Sequence, residues 1–237
     1  MKALLLAAGL GTRLYPVTKD MPKCLVPIDG KPLLWYWLTL LKKAGVDEII
    51  INTHHFAGQV EDFIKNQKVF DNAVCVYEKE LLLTGGTILK NSPRFGNEPF
   101  IAAHADNLSV CSYADFIQAH RNRPTGTDMT MMTFITETPE SCGIVECDSE
   151  GRVLKFHEKV QNPPSSHANG AVYILEPIVV DYIASLGREK VDFSTEVIPA
   201  FMGRIATFNN NVYHRDIGTP ESLEIARKDI KQLGEYL

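Results

Sequence analysis

One stretch near the amino terminus limits what this chain can become: Leu4-Leu5-Leu6-Ala7-Ala8-Gly9-Leu10-Gly11-Thr12-Arg13-Leu14-Tyr15-Pro16, followed by Met21-Pro22-Lys23. A short apolar run closed by glycine reads as a buried strand, and here the strand empties into a Gly-Leu-Gly-Thr-Arg loop. Two glycines let successive backbone N–H groups point into one concavity, a shape that binds anions. Arg13 and Lys23 bring positive charge to the same place. Alone, the glycines would do no more than permit a tight turn; the two cations at fixed offsets favour a phosphate guest.

Neither of the common phosphate loops fits. A dinucleotide-binding fingerprint needs a third glycine where Leu14 stands and an acid after the second strand, where Ile51-Asn52-Thr53 has none. A Walker A loop needs Gly-Lys-Ser/Thr, which is also missing. A dinucleotide-dependent oxidoreductase is therefore disfavoured.

With 237 residues, 45% of them hydrophobic, the chain is long enough for a full core, and it reads as a single domain over residues 1–237. A formal charge of -5 argues against nonspecific nucleic-acid binding, which wants a basic surface. Any phosphate site must be local. Cys24, Cys75, Cys111, Cys142 and Cys147 are odd in number and form no C-x-x-C pair, so they read as reduced core residues. The apolar amino-terminal run passes straight into the loop and reads as a strand rather than a signal peptide. No apolar run approaches a membrane span, and the expectation is a soluble, cytoplasmic protein with no membrane partner. Self-association stays open.

Beyond the loop, strand and helix signals alternate. Pro32 opens a helix over 33–44 that Gly45 stops, strands are expected over 48–52 and 73–77, and helical spacing places a helix around Val60, Phe63 and Ile64. A helix runs to Asn91 behind Gly85-Gly86, and an apolar strand over 99–104 ends in Ala105-Asp106-Asn107. An acid just past the carboxyl end of a buried strand sits where open α/β sheets bind ligands, which suits Asp106 to a metal. A helix over 113–121 and a strand over 128–136 precede a hairpin, 143–147 with 152–159, that interrupts the parallel pattern. A strand over 169–175, a helix over 177–186 and a capping pattern at Asp192 follow. Asn169, Glu146 and Glu176 carry polar groups suited to vicinal hydroxyls. Asp216, in Asp216-Ile217-Gly218-Thr219-Pro220, could cap the final helix, but Thr219 is better spaced for that and leaves Asp216 for other work. The adjacent His54 and His55 read as structural.

The pattern Leu-x-Ala-Gly-x-Gly-Thr-Arg-Leu-x-Pro-x-Thr, present as Leu6 to Thr18, with Pro22-Lys23 and Pro27-Ile28, resembles that of the sugar-1-phosphate nucleotidyltransferases, also called nucleotide-sugar pyrophosphorylases. Later motifs extend the resemblance over essentially the whole chain. It implies a Rossmann-like α/β fold, a three-layer α/β/α sandwich on a mostly parallel, mixed sheet, with a small hairpin-bearing insertion that closes over the sugar. It implies that Ala8, Gly9, Gly11, Thr12, Arg13 and Lys23 hold the triphosphate, Gly85 and Gly86 the base, and Asp106 and Asp216 a Mg²⁺ ion. Asn107, Glu158, Lys159, Asn169 and Gly170 would hold the sugar phosphate, with Arg13, Lys23 and Asp106 acting in catalysis. Leu83 stands where the family usually has a glycine, Ala105 replaces another, and Val160 replaces a proline. Similarity to the short mannose- and heptose-phosphate enzymes favours GTP as substrate, with cytidylyl, thymidylyl or uridylyl transfer as alternatives. A nucleotide-sugar-binding regulatory subunit would keep the fold without the chemistry, but it would be expected to erode Arg13, Lys23 or an acid, and all are present.

Overall fold

The computed structural model describes residues 1–67 and 70–237. In chain order the elements are β1 (Lys2–Leu6), β2 (Pro27–Ile28), β3 (Lys31–Pro32), α1 (Leu33–Lys43), β4 (Ile49–Thr53), α2 (Ala57–Asn66), β5 (Ala73–Tyr77), α3 (Leu83–Asn91), β6 (Phe100–His104), β7 (Asn107–Val110) and α4 (Tyr113–Arg121). They continue with β8 (Met129–Ile135), β9 (Gly143–Cys147), β10 (Val153–Glu158), β11 (His167–Leu175), α5 (Pro177–Ser185), β12 (Ile205–Asn209), β13 (Tyr213–Asp216) and α6 (Pro220–Asp229). The α/β class and the mixture of parallel and antiparallel pairing match the expectation from sequence. The residues divide into two compact units, one of residues 1–81, 103–114 and 212–237, the other of 82–102 and 115–211.

In the first unit β4 lies between β1 and β5, parallel to both, with Leu4 opposite Ile50 and Ile50 opposite Val74. Ala3, Leu4, Leu5 and Ile49 to Ile51 are fully buried, which is why both strands read as unbroken apolar runs. Helix α1 places Leu34, Trp37, Leu38 and Leu41 in the core, and Gly45 ends it in the left-handed conformation at φ 75°. Trp37 donates its indole N–H to the carbonyl of Asn107 at 2.8 Å, which ties α1 to β7. The short strand β7 escaped sequence reading. It pairs antiparallel with β13, Val110 opposite Tyr213 and Asn107 opposite Asp216.

In the second unit β11 pairs antiparallel with both β8 and β9, β10 completes the expected hairpin on β9, and β12 runs parallel to β8. Asp148 closes the hairpin turn by accepting from the amides of Glu150 and Arg152, both at 2.9 Å. Asp192 accepts from the Thr195 amide as its spacing suggested, but the segment it caps, Phe193–Val197, is a turn of π-helix. Met129, Met131 and Met132 are fully buried core filler.

Candidate active site

The loop after β1 is held from behind and left open in front. Thr18 donates its hydroxyl to the Gly11 carbonyl at 2.7 Å, and Ala7 donates its amide to Asn52 Oδ1 at 2.9 Å. Gly11 sits at φ 67°, and a Cβ there would lie 3.3 Å from Thr18 and 3.4 Å from the Lys23 side chain. Gly9 is different. Nothing lies within 4 Å of where its Cβ would be, so no intramolecular packing demands glycine there, and the open space in front is suited to an approaching ligand. Ala8 is buried, Thr12 and Arg13 are exposed, and Leu14 anchors the single 3₁₀ turn of Thr12–Leu14 in the core.

Lys23 enters this loop from a second 3₁₀ turn, Lys23–Leu25, and is buried. Its ammonium donates to Asp106 Oδ2 at 2.8 Å and to Asp216 Oδ1 at 3.0 Å. Arg13 approaches Asp216 at 3.9 Å from solvent. Sequence reading named all four residues, and the structure brings them together. The means is the β7–β13 ribbon: with Asn107 opposite Asp216, the acid just before β7 and the acid ending β13 fall side by side, and the Ile217 amide donates to the Asp106 carbonyl at 3.2 Å. A Cβ on Gly218 would come within 2.7 Å of Asp216 Oδ2, so a larger residue there would push that carboxylate aside. Thr219 caps α6 by accepting from the Ser222 amide at 3.2 Å, so Asp216 is spared that task.

Burial alone would raise the Asp106 carboxyl, yet the Lys23 ammonium, aided by His104, holds it below the usual carboxylate range. In the same ribbon burial pushes the His214 imidazole down to about 4. Two carboxylate oxygens converging on one cation form a hard-oxygen pair of the kind that suits Mg²⁺. Among the described residues no third His, Cys, Asp or Glu joins them in a larger ligand cluster. The donor set fits the group. Asn107 is itself buried in β7, with its carbonyl committed to Trp37.

The remaining candidates lie in the second unit. Gly85 and Gly86, in the first turn of α3, are buried, and both donate their amides to the Val191 carbonyl, at 2.9 and 3.3 Å. A Cβ on Gly86 would sit 2.0 Å from the Glu189 carbonyl oxygen, so packing by itself demands glycine there. Leu83, two residues before Gly85, holds φ at 64° with its side chain half exposed, which explains why glycine would suit that position better. Asn169 spans a register break in β11: it donates to the Tyr173 hydroxyl at 2.7 Å and accepts from the Ala171 amide at 2.9 Å. Gly170 is buried within that break. Glu158 ends β10 opposite Gly143, and Lys159 extends into solvent with its ammonium 3.4 Å from Glu158. Glu176 is bound up with Arg123 at 2.5 Å and His120 at 3.2 Å, and Glu146 with His157 at 2.7 Å. Those contacts pair both acids with nitrogen groups of the protein itself.

Sequence reading missed Glu78 and underrated Asn52. Both are buried, and Asn52 bridges from the Ala7 amide to Glu78 Oε2 at 2.7 Å, while His54 binds the Glu78 carbonyl at 2.7 Å. The signal was available: Glu78 directly follows β5, much as Asp106 stands two residues past β6.

A glycine loop beside a lysine that two carboxylates share, on an α/β sheet, is an arrangement suited to binding phosphate. The chain belongs to the nucleotidyl transferase family, whose model matches residues 2–232. Among characterised relatives it is 31% identical over 233 residues to mannose-1-phosphate guanylyltransferase of Mycobacterium tuberculosis, covering 96% of this chain and 64% of the relative. It is 30% identical over 213 residues to a UTP–glucose-1-phosphate uridylyltransferase of Synechocystis, covering 84% of this chain and 54% of that one. The chain thus spans less than two thirds of the length of these relatives. Among solved structures, HddC from Yersinia pseudotuberculosis complexed with GMP-PN superposes with a TM-score of 0.80 at 26% identity, covering 97% of this chain and 99% of that one. A thymidylyltransferase structure from Bacillus anthracis shares the fold at a TM-score of 0.86 and 22% identity, covering 96% and 94%.

Proposed function

We propose that this chain, as one catalytic domain over residues 1–237, transfers a nucleotidyl group from a nucleoside triphosphate to a sugar-1-phosphate. The phosphate oxygen of the sugar attacks the α-phosphorus in line, and pyrophosphate leaves. The observation that carries the reading is the convergence of Lys23 on Asp106 and Asp216 beside the open Gly9–Arg13 loop. Such a reaction needs no protein nucleophile. It needs positioning and neutralisation of charge, and those are what this constellation offers.

In this mechanism the loop amides around Gly9, Gly11 and Thr12 cradle the triphosphate, with Ala8 in the wall behind. Arg13 and Lys23 draw off the charge that builds on the departing pyrophosphate. Asp106 and Asp216 would hold Mg²⁺, which, when bound, screens the phosphates from one another. In the second unit Lys159, with Glu158 beside it, serves the sugar phosphate, as do Asn169 and Gly170; Asn107 is a further candidate for that substrate. Asn169 keeps one amide proton beyond its bond to Tyr173 with which to reach a hydroxyl. Gly85 and Gly86 shape the start of α3 where the base would rest.

GTP is the nucleotide we favour, with mannose- or heptose-1-phosphate, because a guanylyltransferase and a structure holding a guanine nucleotide analogue are among its relatives. Uridylyl, thymidylyl or cytidylyl transfer are the alternatives. No described helix is long and apolar enough to cross a membrane. All five cysteines lack disulfide partners, which supports a reducing, cytoplasmic setting. Incubation with each triphosphate, Mg²⁺ and a panel of sugar-1-phosphates, following pyrophosphate release, tests the reading. Release no faster than the uncatalysed rate with every pair would point instead to a subunit that binds but does not transfer.

A further inference from the structure

We propose that Lys23 is a built-in counter-ion that a divalent cation must displace, so that metal binding and delivery of the lysine to phosphate are one coupled event. The inference rests on the nucleotidyl-transfer reading and deepens it. The lysine is buried, and its ammonium lies between Asp106 and Asp216, at hydrogen-bond distance from one oxygen of each. A second cation drawn to the same pair would meet that ammonium at close range in a partly desolvated setting, where like charges repel strongly.

The charge balance makes the consequence definite. Asp106, Asp216, Lys23 and the nearby Arg13 carry formal charges that cancel, so the ligand-free cluster has little net attraction for a dication. When a dication does seat on the carboxylates, Lys23 loses its partners and the cluster gains two positive charges. A polyanion is then the complement it lacks. The Lys23 side chain already packs against the loop, its Cβ 3.4 Å from where a Cβ of Gly11 would be, so the lysine stands beside the place where an anion in that loop would lie. The two carboxylates are the more accessible members: Asp216 is about half exposed and Asp106 more than a third, against 8% for the lysine. The cation can therefore arrive from solvent while the lysine withdraws.

The test measures metal without nucleotide or sugar. Mn²⁺ binding to the ligand-free protein is followed by electron paramagnetic resonance of the unbound ion, in wild type, Lys23→Met and Lys23→Gln. Both variants should bind Mn²⁺ at least about tenfold more tightly, because the competing charge is gone. Equal or weaker binding in folded variants overturns the proposal. Should neither variant fold, ammonium-selective ¹H–¹⁵N NMR on the wild type decides: saturating Mg²⁺ must shift or abolish the Lys23 ammonium signal, and a signal that stays in place refutes the displacement. If the lock fails while pyrophosphate is still released, the reaction reading stands. Tighter Mn²⁺ binding without any pyrophosphate release leaves the lock and removes the reaction.

Discussion

Replacing Gly86 by alanine should destabilise the protein severely, although helix propensity alone predicts the opposite. Gly86 lies within α3, where alanine is favoured over glycine by about 1 kcal/mol. Its Cβ would sit 2.0 Å from the Glu189 carbonyl oxygen and 2.9 Å from the Leu82 Cβ. The first obstacle is backbone, so relief requires moving the start of α3 off the 189–191 segment by more than 1 Å, roughly the gap between 2.0 Å and ordinary contact. Such a shift strains the packing by about 1–3 kcal/mol. It also weakens the bonds from Gly85 and Gly86 to the Val191 carbonyl, each worth about 1 kcal/mol net. Set against the propensity gain, the loss should be about 2–4 kcal/mol. Gly58 is the control. It lies in α2, exposed, with nothing within 4 Å of a Cβ, and its replacement should stabilise by about 0.5–1 kcal/mol. Urea midpoints for Gly86→Ala and Gly58→Ala should move in opposite directions. If Gly86→Ala matched wild type in stability, the packing account of this glycine would be wrong; if it also lost triphosphate use, its role would lie with the ligand.

Asp106→Asn and Asp216→Asn should each remain folded and lose nearly all pyrophosphate release at limiting Mg²⁺, and chelator should abolish it in the wild type; near-normal turnover in either variant removes that acid from the metal pair. Arg13→Ala and Lys23→Ala should lower turnover with the triphosphate by about 10²–10³, whereas Lys159→Ala should act chiefly on the apparent KM for the sugar phosphate. An effect of Lys159→Ala on the triphosphate alone would overturn that division. GTP should be preferred over other triphosphates by at least about tenfold, or about 1.4 kcal/mol, and a clear preference for another base in the same assay refutes the guanine assignment. Burial, with the Arg123 charge adding to it, pushes His120 down to about 4, below its ordinary 6.5. The unfolded chain therefore binds the extra proton between those values, and stability falls as pH drops through that window, by about 3 kcal/mol in full. Urea unfolding from pH 7 to pH 4 should show this slope reduced in His120→Gln, and identical slopes would refute it.

The glycine loop, Lys23 and both acids were legible in sequence because each depends on local pattern: a glycine after an apolar run, a charge at a fixed offset, an acid after a strand. Long-range register was not legible. Nothing in the residues of β7 announces a strand that must pair with β13, yet that pairing sets the Asp106–Asp216 relation. Tertiary satisfaction of polar groups was equally hidden. Glu146 and Glu176 look available in sequence, but contacts to His157 and Arg123 occupy them, and nothing local in sequence shows that the amides of Gly85 and Gly86 bond to the Val191 carbonyl. Asn52 looked unhelpful because it is no acid, while its amide does the bridging between Ala7 and Glu78.

The β7–β13 ribbon also bears on how such a chain can diversify. Residues 115–211 leave the first unit just after β7 and return to it just before β13, where Val110 and Tyr213 are paired. The ribbon clamps the two ends of that long excursion side by side, independently of what lies between them. Lengthening or exchanging the excursion therefore need not disturb the spacing of the two acids, since a slip in register, not a change in loop length, is what would part them. The two acids behave as a fixed socket and residues 115–211 as an exchangeable cartridge, so that the excursion can change while the acid pair is inherited intact.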